Sequence, residues 1–146
     1  MVHTFSRGLS EIVLMVEDVL KAAQFYRDVV GLVPCTEPDD TWAWFWAGPP
    51  GISQRVGLHK GAVRFEEHSP HPPGQRWGRF HYAFEVPRDQ LEAAAAHVHA
   101  AGVVIYGPIR LEWMHAQSYY FYDLDGHLLE WWSPDPAAPR ATRAAS

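Results

Sequence analysis

The chain of 146 residues has one cysteine, Cys35. A lone cysteine can form neither an internal disulfide nor a thiolate cage around a metal. Basic residues are few: 12 Lys and Arg stand against 17 Asp and Glu, a formal net charge of -5. With no Lys/Arg-rich stretch, nothing here suits a nucleic-acid backbone or an anionic membrane surface. No apolar run has the length of a membrane-spanning helix or a secretory core segment. These absences lead to the expectation of a soluble, cytoplasmic, single-domain protein. Hydrophobic residues make up 47% and charged residues 20%, enough to bury a core.

Two residue types are abundant. Seven Trp and nine His are high counts for this length. Trp-rich chains often line an aromatic cavity or interface. Trp42, Trp44, Trp46, Trp77, Trp113 and Trp132 are candidate lining residues, with ordinary core packing as the competing reading for each.

The sequence repeats itself. Glu11-Ile-Val-Leu-Met-Val16 precedes a helical pattern that stops at Gly31. His81-Tyr-Ala-Phe-Glu-Val86 precedes another that stops at Gly102. The first helix is expected from about Asp18 to Val30, because Ala22, Phe25, Tyr26, Val29 and Val30 share one helical face. The second is expected from about Asp89, as N-cap, to Ala101, with Leu91, Ala94, Ala95 and Val98 in register. Strand-like runs follow each helix: 42–47 and 54–59 in the first half, 118–122 and 127–132 in the second. Asp125-Gly126 supplies a hairpin turn. The expected architecture is α+β, with two βαβββ modules whose curled mixed sheets enclose a cleft and carry their helices outside. Module one spans about 8–64, a Pro-rich linker about 66–78, module two about 79–133, and a loose tail 134–146.

Aligning the halves on Glu11 and His81 brings out four metal-competent side chains. Glu11 to His59 is 48 residues, and His81 to Glu130 is 49. The spacing predicts that Glu11, His59, His81 and Glu130 meet at one divalent ion. Two imidazoles and two carboxylates suit Zn, Ni, Co, Fe or Mn. Singly, Glu11 reads more readily as an exposed acid and His59 as a surface residue, and His81 reads equally as a structural histidine. Glu130, among Leu and Trp, is harder to explain without a partner. His115 and Tyr120 are further candidates for proton handling. His97, His99, His68, His71, His127 and Cys35 carry no such signal.

At these residues the chain resembles the vicinal oxygen chelate superfamily, which includes glyoxalase I, bleomycin-resistance proteins, extradiol dioxygenases and fosfomycin-resistance enzymes. Ile12 to Leu32 is similar to the family's first module. His81 to Val86 and Tyr120-Phe-Tyr-Asp-Leu-Asp-Gly-His-Leu-Leu-Glu-Trp131 are similar to its second. The resemblance spans about residues 8–135, and it implies metal positions at Glu11, His59, His81 and Glu130. Most members place His at the first position, so Glu11 is a departure. Met15 stands where glyoxalase I tends to carry an Arg for glutathione.

The resemblance implies a metalloenzyme that chelates neighbouring oxygens of a small organic substrate. Proton transfer of the isomerase or lyase type leads, with Glu130 or Glu11 as base. One alternative is an Fe(II) ring-cleaving dioxygenase built on His59, His81 and Glu130, taking an aromatic substrate. Another is a bleomycin-resistance-like drug binder without catalysis. Family members of this size usually form homodimers.

Overall fold

The computed structural model describes residues 9–61 and 78–136. The chain divides into two compact units, Met1–Arg79 and Phe80–Ser146. Each builds a four-stranded mixed sheet with a helix on one face.

In the first unit, β1 (Glu11–Val16) leads to α1 (Val19–Phe25), then to β2 (Val33–Pro34), β3 (Trp42–Trp46) and β4 (Arg55–Lys60). The sheet order is β1-β4-β3-β2, with β1 parallel to β4 and the other pairs antiparallel. Asp18 caps α1 by accepting from the Lys21 N–H. The α-helix ends at Phe25, and Tyr26–Val30 continue as a π-helical turn. Gly31, in the left-handed region at φ 81°, closes it as expected. Strand alternation sends Leu14, Val16, Ala43, Phe45, Val56 and Leu58 into the core, where Val19, Ala22, Phe25 and Tyr26 meet them.

The second unit repeats the order. It runs β5 (His81–Glu85), α2 (Leu91–Ala100), β6 (Tyr106–Leu111), β7 (Ala116–Tyr122) and β8 (Leu128–Pro134). The sheet order is β5-β8-β7-β6, again with one parallel pair, β5 and β8. Phe84, Leu129, Trp131, Tyr119 and Phe121 form the core with Leu91, Ala95 and Val98 of α2. The Tyr119 hydroxyl donates to Glu92 at 2.8 Å, tying helix to sheet. His127 is buried, and its Nδ1 accepts from the Phe80 N–H at 3.0 Å. That contact pins the approach to β5 against the start of β8.

Three expectations shift. Asp89 is not the helix cap: Arg88–Gln90 form a 3-10 turn after Pro87, and α2 starts at Leu91 without a side-chain cap. The left-handed, non-glycine His115 (φ 48°) ends a second 3-10 turn, Glu112–Met114, that was not foreseen. β8 runs through Pro134, taking the start of the expected tail into the sheet. Most of the linker, with Trp77, His68 and His71, and the tail beyond residue 136 lie outside the described residues. Among the described residues, no helix is long and apolar enough to cross a membrane.

Candidate functional site

Each sheet packs its helix on one face, and among the described residues the other face carries no α-helix. On the free face of the second sheet stand His81, Ala83, Ser118, Tyr120, Glu130 and Trp132, by strand alternation. A cavity of about 400 Å³ opens there. His81, Tyr120 and Glu130 supply its polar groups, while Ala83, Leu111, Trp113, Met114 and Trp132 make an apolar wall.

Glu130 is 5% exposed. The Ser118 hydroxyl donates to its Oε1 in a short hydrogen bond. Its Oε2 lies 3.3 Å from His81 Nε2. The other imidazole nitrogen, Nδ1, lies 3.1 Å from the Leu128 carbonyl oxygen. A carbonyl can only accept, so Nδ1 carries the hydrogen. In the neutral ring Nε2 is then a lone pair facing a carboxylate oxygen. Two acceptors at that distance need a proton or a cation between them. Two donors, each about 2.1 Å from one ion, stand about 3.0–3.4 Å apart for octahedral or tetrahedral angles, and 3.3 Å falls in that range. A ring N–H bonded to a backbone carbonyl is also how metal-binding histidines are commonly oriented. His81 and Glu130 therefore fit a divalent cation.

Tyr120 faces His81 at 6.1 Å between ring centroids. Burial, and after it the Glu130 charge, push its phenol above the ordinary value, so it stays protonated across the neutral range. His115 is exposed and is not among the residues lining the cavity. Its backbone carbonyl accepts from the Asp135 N–H at 2.7 Å.

The first unit is different. The expected equivalence of His59 with Glu130 does not follow from the strand ladders. In the first sheet the parallel pairing runs Glu11 to Arg55, Val13 to Gly57 and Met15 to His59. In the second it runs His81 to Leu128 and Ala83 to Glu130. Glu11 matches His81, but the rung that carries Glu130 in one sheet carries Gly57 in the other. His59 matches Trp132, four residues along the ladder from Glu11's rung, or roughly 13 Å.

Trp44 occupies the place of the missing side chain. A Cβ on Gly57 would lie 2.6 Å from the Trp44 ring. Trp44 stacks on Trp42 at 5.4 Å, and the His59 ring meets Trp42 edge-on at 4.2 Å. Arg55 lies 5.2 Å over Trp44 and pairs with Glu11 at 3.2 Å. Within each unit, no group of three or more His, Cys, Asp or Glu gathers at one point among the described residues. Cys35 is partly buried, and burial pushes its thiol up, away from thiolate chemistry.

The Glu130 rung and the lining residues Leu111 and Met114 carried no distinct sequence signal. Ser118 could have been found: it lies two residues before Tyr120, on the same strand face.

A family model, Glyoxalase/Bleomycin resistance protein/Dioxygenase superfamily, matches residues 8–131. A search of curated proteins returns no match. Among solved structures, an integron cassette protein from the mobile metagenome of V. cholerae is 28% identical. The match covers 92% of this chain and 100% of that one, with a TM-score of 0.71. A lactoylglutathione lyase from Agrobacterium tumefaciens is 21% identical over 89% of this chain and 96% of that one, with a TM-score of 0.71. A mutant fosfomycin resistance protein, FosX, from Listeria monocytogenes, complexed with Mn(II) and 1S,2S-dihydroxypropylphosphonic acid, is 20% identical. It aligns over 97% of this chain and 98% of that one, with a TM-score of 0.65. At these two lower identities the likeness is one of fold.

Proposed function

The chain belongs to the glyoxalase/bleomycin resistance protein/dioxygenase superfamily, and on that premise we propose that it is a divalent-cation-dependent enzyme acting on a small organic substrate with neighbouring oxygens. His81 and Glu130 would hold the cation. When bound, such a cation supplies Lewis acidity to the substrate oxygens.

The supporting observation is the tautomer of His81. With Nδ1–H committed to Leu128, Nε2 and Glu130 Oε2 present two lone pairs to one point. FosX, a fold relative, is complexed with Mn(II), which agrees with this reading.

The reaction class we assign is proton transfer beside a carbonyl. Glu130 would serve as base through Oε2 once that oxygen is off the cation, because Ser118 holds Oε1. Tyr120 Oη is the acidic one, kept as a phenol by burial and by Glu130. The proton leaves the substrate carbon for Glu130, and Tyr120 donates to the oxygen where charge builds. Leu111, Met114 and Trp132 set an apolar wall beside these groups. Glu11 is held by Arg55 in an exposed pair worth at most about 1 kcal/mol, so it is free to exchange partners.

The apolar, aromatic wall favours a second reading, oxygenation of a planar substrate with Fe(II). The test is calorimetric titration of chelator-treated protein with Mn(II), Zn(II), Ni(II) and Fe(II). Wild type should bind one of them, and H81A and E130Q should each lose at least tenfold in affinity. Equal affinity in wild type and both variants would overturn the site. Oxygen uptake on catechols by the Fe(II) form, absent with the other ions, would select the second reading.

A further inference from the structure

Ser118 is fully buried and does not line the cavity that holds His81 and Glu130. It stands on β7 opposite Trp132 of β8 and Ile109 of β6, so its backbone is paired on both sides. From there its hydroxyl reaches diagonally across the ladder and donates to Glu130 Oε1 in a short hydrogen bond. Tyr120, directly opposite Glu130, also bonds the carboxylate and meets the Ser118 hydroxyl. A serine has one hydrogen to give, and Glu130 Oε1 takes it. Ala116, Phe121 and Leu129 are as deeply buried as Ser118, so these strands have little room to shift.

A carboxylate can hold a cation through one oxygen or through both. Binding through both places the ion on the bisector of the group, and its narrow bite suits large ions. Binding through one oxygen suits small ions, with bonds of about 2.0–2.2 Å. The two oxygens of Glu130 are not equivalent. Oε1 is tied to a fixed, buried donor, whereas Oε2 lies 3.3 Å from His81 Nε2. His81 is itself oriented by the contact of Nδ1 with the Leu128 carbonyl oxygen. An ion that needs both oxygens must compete with Ser118 for Oε1 and turn Oε2 away from Nε2. It also leaves the buried hydroxyl short of its acceptor, a cost that falls only on such ions.

We propose that Ser118 is the positioning residue that sets which cations this site accepts: by holding Oε1 it makes Glu130 a ligand through Oε2 alone, so that small divalent ions are taken and large ones are disfavoured. This rests on the cation-binding reading above. Ser118 touches neither substrate nor ion, and it acts through the carboxylate. An imidazole disfavours Ca(II) whatever the serine does. The informative comparison is therefore Zn(II) against Cd(II), which share charge and group chemistry and differ in size.

The experiment titrates each ion, in competition with a chelator, into chelator-treated full-length protein. H81A gives the binding, at Cys35 among others, that bypasses the site. Wild type should prefer Zn(II) by about tenfold or more after that correction. S118A should weaken Zn(II) by about tenfold and Cd(II) by no more than about twofold, and S118T, which keeps the hydroxyl, should restore most of the preference. General loss of structure would weaken both ions alike. A spectroscopic reading needs no serine variant. Infrared difference spectra of wild type on Zn(II) loading should show the wide antisymmetric–symmetric splitting of a carboxylate bound through one oxygen, absent in E130Q.

Equal weakening of both ions by S118A, no Zn(II) preference in wild type, or the narrow splitting of a carboxylate bound through both oxygens would overturn the role of Ser118 and leave the cation reading standing. Absence of any binding that depends on His81 would overturn both.

Discussion

Replacing Glu130 by Gln should make the metal-free protein more stable and the cation-loaded protein less so. In the wild type the carboxylate is 5% exposed. It faces a ring nitrogen at 3.3 Å, which in the neutral ring is bare because the hydrogen sits on Nδ1 toward Leu128. Ser118 donates to one oxygen and the Tyr120 phenol also bonds the carboxylate, but the contact with His81 still needs a proton or a cation between the two groups. A buried charge left short of a partner costs about 1–3 kcal/mol. Gln keeps the shape, still accepts from Ser118, and turns an N–H donor toward His81 Nε2. The expected gain is about 2 kcal/mol for the chelator-treated variant. For a chain of this size that is a rise in Tm of roughly 4–8 °C. Cation changes the order. At a free concentration one hundred times the wild-type Kd, binding adds about 2.7 kcal/mol to the wild type. A hundredfold weaker variant gains only about 0.4 kcal/mol at the same concentration. The variant's lead of about 2 kcal/mol is therefore erased. Differential scanning fluorimetry near pH 8, with EDTA and then with each divalent ion, reads both states. A variant less stable than wild type in EDTA, or equally stabilised by the ion, would refute the reasoning about the His81 tautomer.

Gly57→Ala should destabilise the first unit by about 1–3 kcal/mol, because the new methyl would stand 2.6 Å from the Trp44 ring. Urea unfolding gives the loss, and a changed Trp emission at zero denaturant reports the displaced ring. His127→Ala should cost about 2–4 kcal/mol, since it opens a cavity and strands the Phe80 N–H that Nδ1 accepts; a loss under 0.5 kcal/mol would refute that. Tyr119 and Tyr120 have phenols raised above the ordinary value, mainly by burial. A raised folded value favours the neutral phenol, so their contribution is complete below the unfolded value near 10 and is lost as pH rises through the folded values. Absorbance titration at 295 nm should show a tyrosinate fraction ionising later than exposed tyrosine, and Y120F should remove part of it. Coincidence with free tyrosine would contradict the burial argument.

The duplicated module was legible because its signals are local. The apolar runs starting at Glu11 and His81, the helical faces, and the stops at Gly31 and Gly102 each depend on a few neighbouring residues. The ladder registers were not, because they depend on how much chain lies between the paired strands. Glu11 meets Arg55, an offset of 44, whereas His81 meets Leu128, an offset of 47. Two nearly equal spacings, 48 and 49, therefore end on different rungs, at His59 and Glu130. The cap at Asp89 failed for a related reason. Pro87 starts a 3-10 turn that carries Asp89 past the position where its side chain could reach the first free N–H groups of α2. The bidentate pair of Arg110 with Asp135 was also invisible, since it spans 25 residues.

The same rung shows how far the two halves have diverged. In the second unit Ala83, Glu130 and Tyr120 lie side by side; in the first the matching three are Val13, Gly57 and Trp44. Two changes must occur together for that exchange. A large ring at position 44 needs the strand beside it stripped to glycine, since any Cβ would intrude on it. A carboxylate at 130 needs donors close by, which Ser118 and Tyr120 provide. Neither half tolerates a single-residue step toward the other: a carboxylate at 57 meets the Trp44 ring, and a glycine at 130 leaves Ser118 and His81 without the group they face. One sheet therefore keeps paired oxygen and nitrogen donors, while the equivalent rung of the other keeps stacked indoles over bare backbone. Donor chemistry should respond to substitutions in β5, β7 and β8, and substitutions at Trp42, Trp44 or Gly57 should register chiefly in Trp emission and stability.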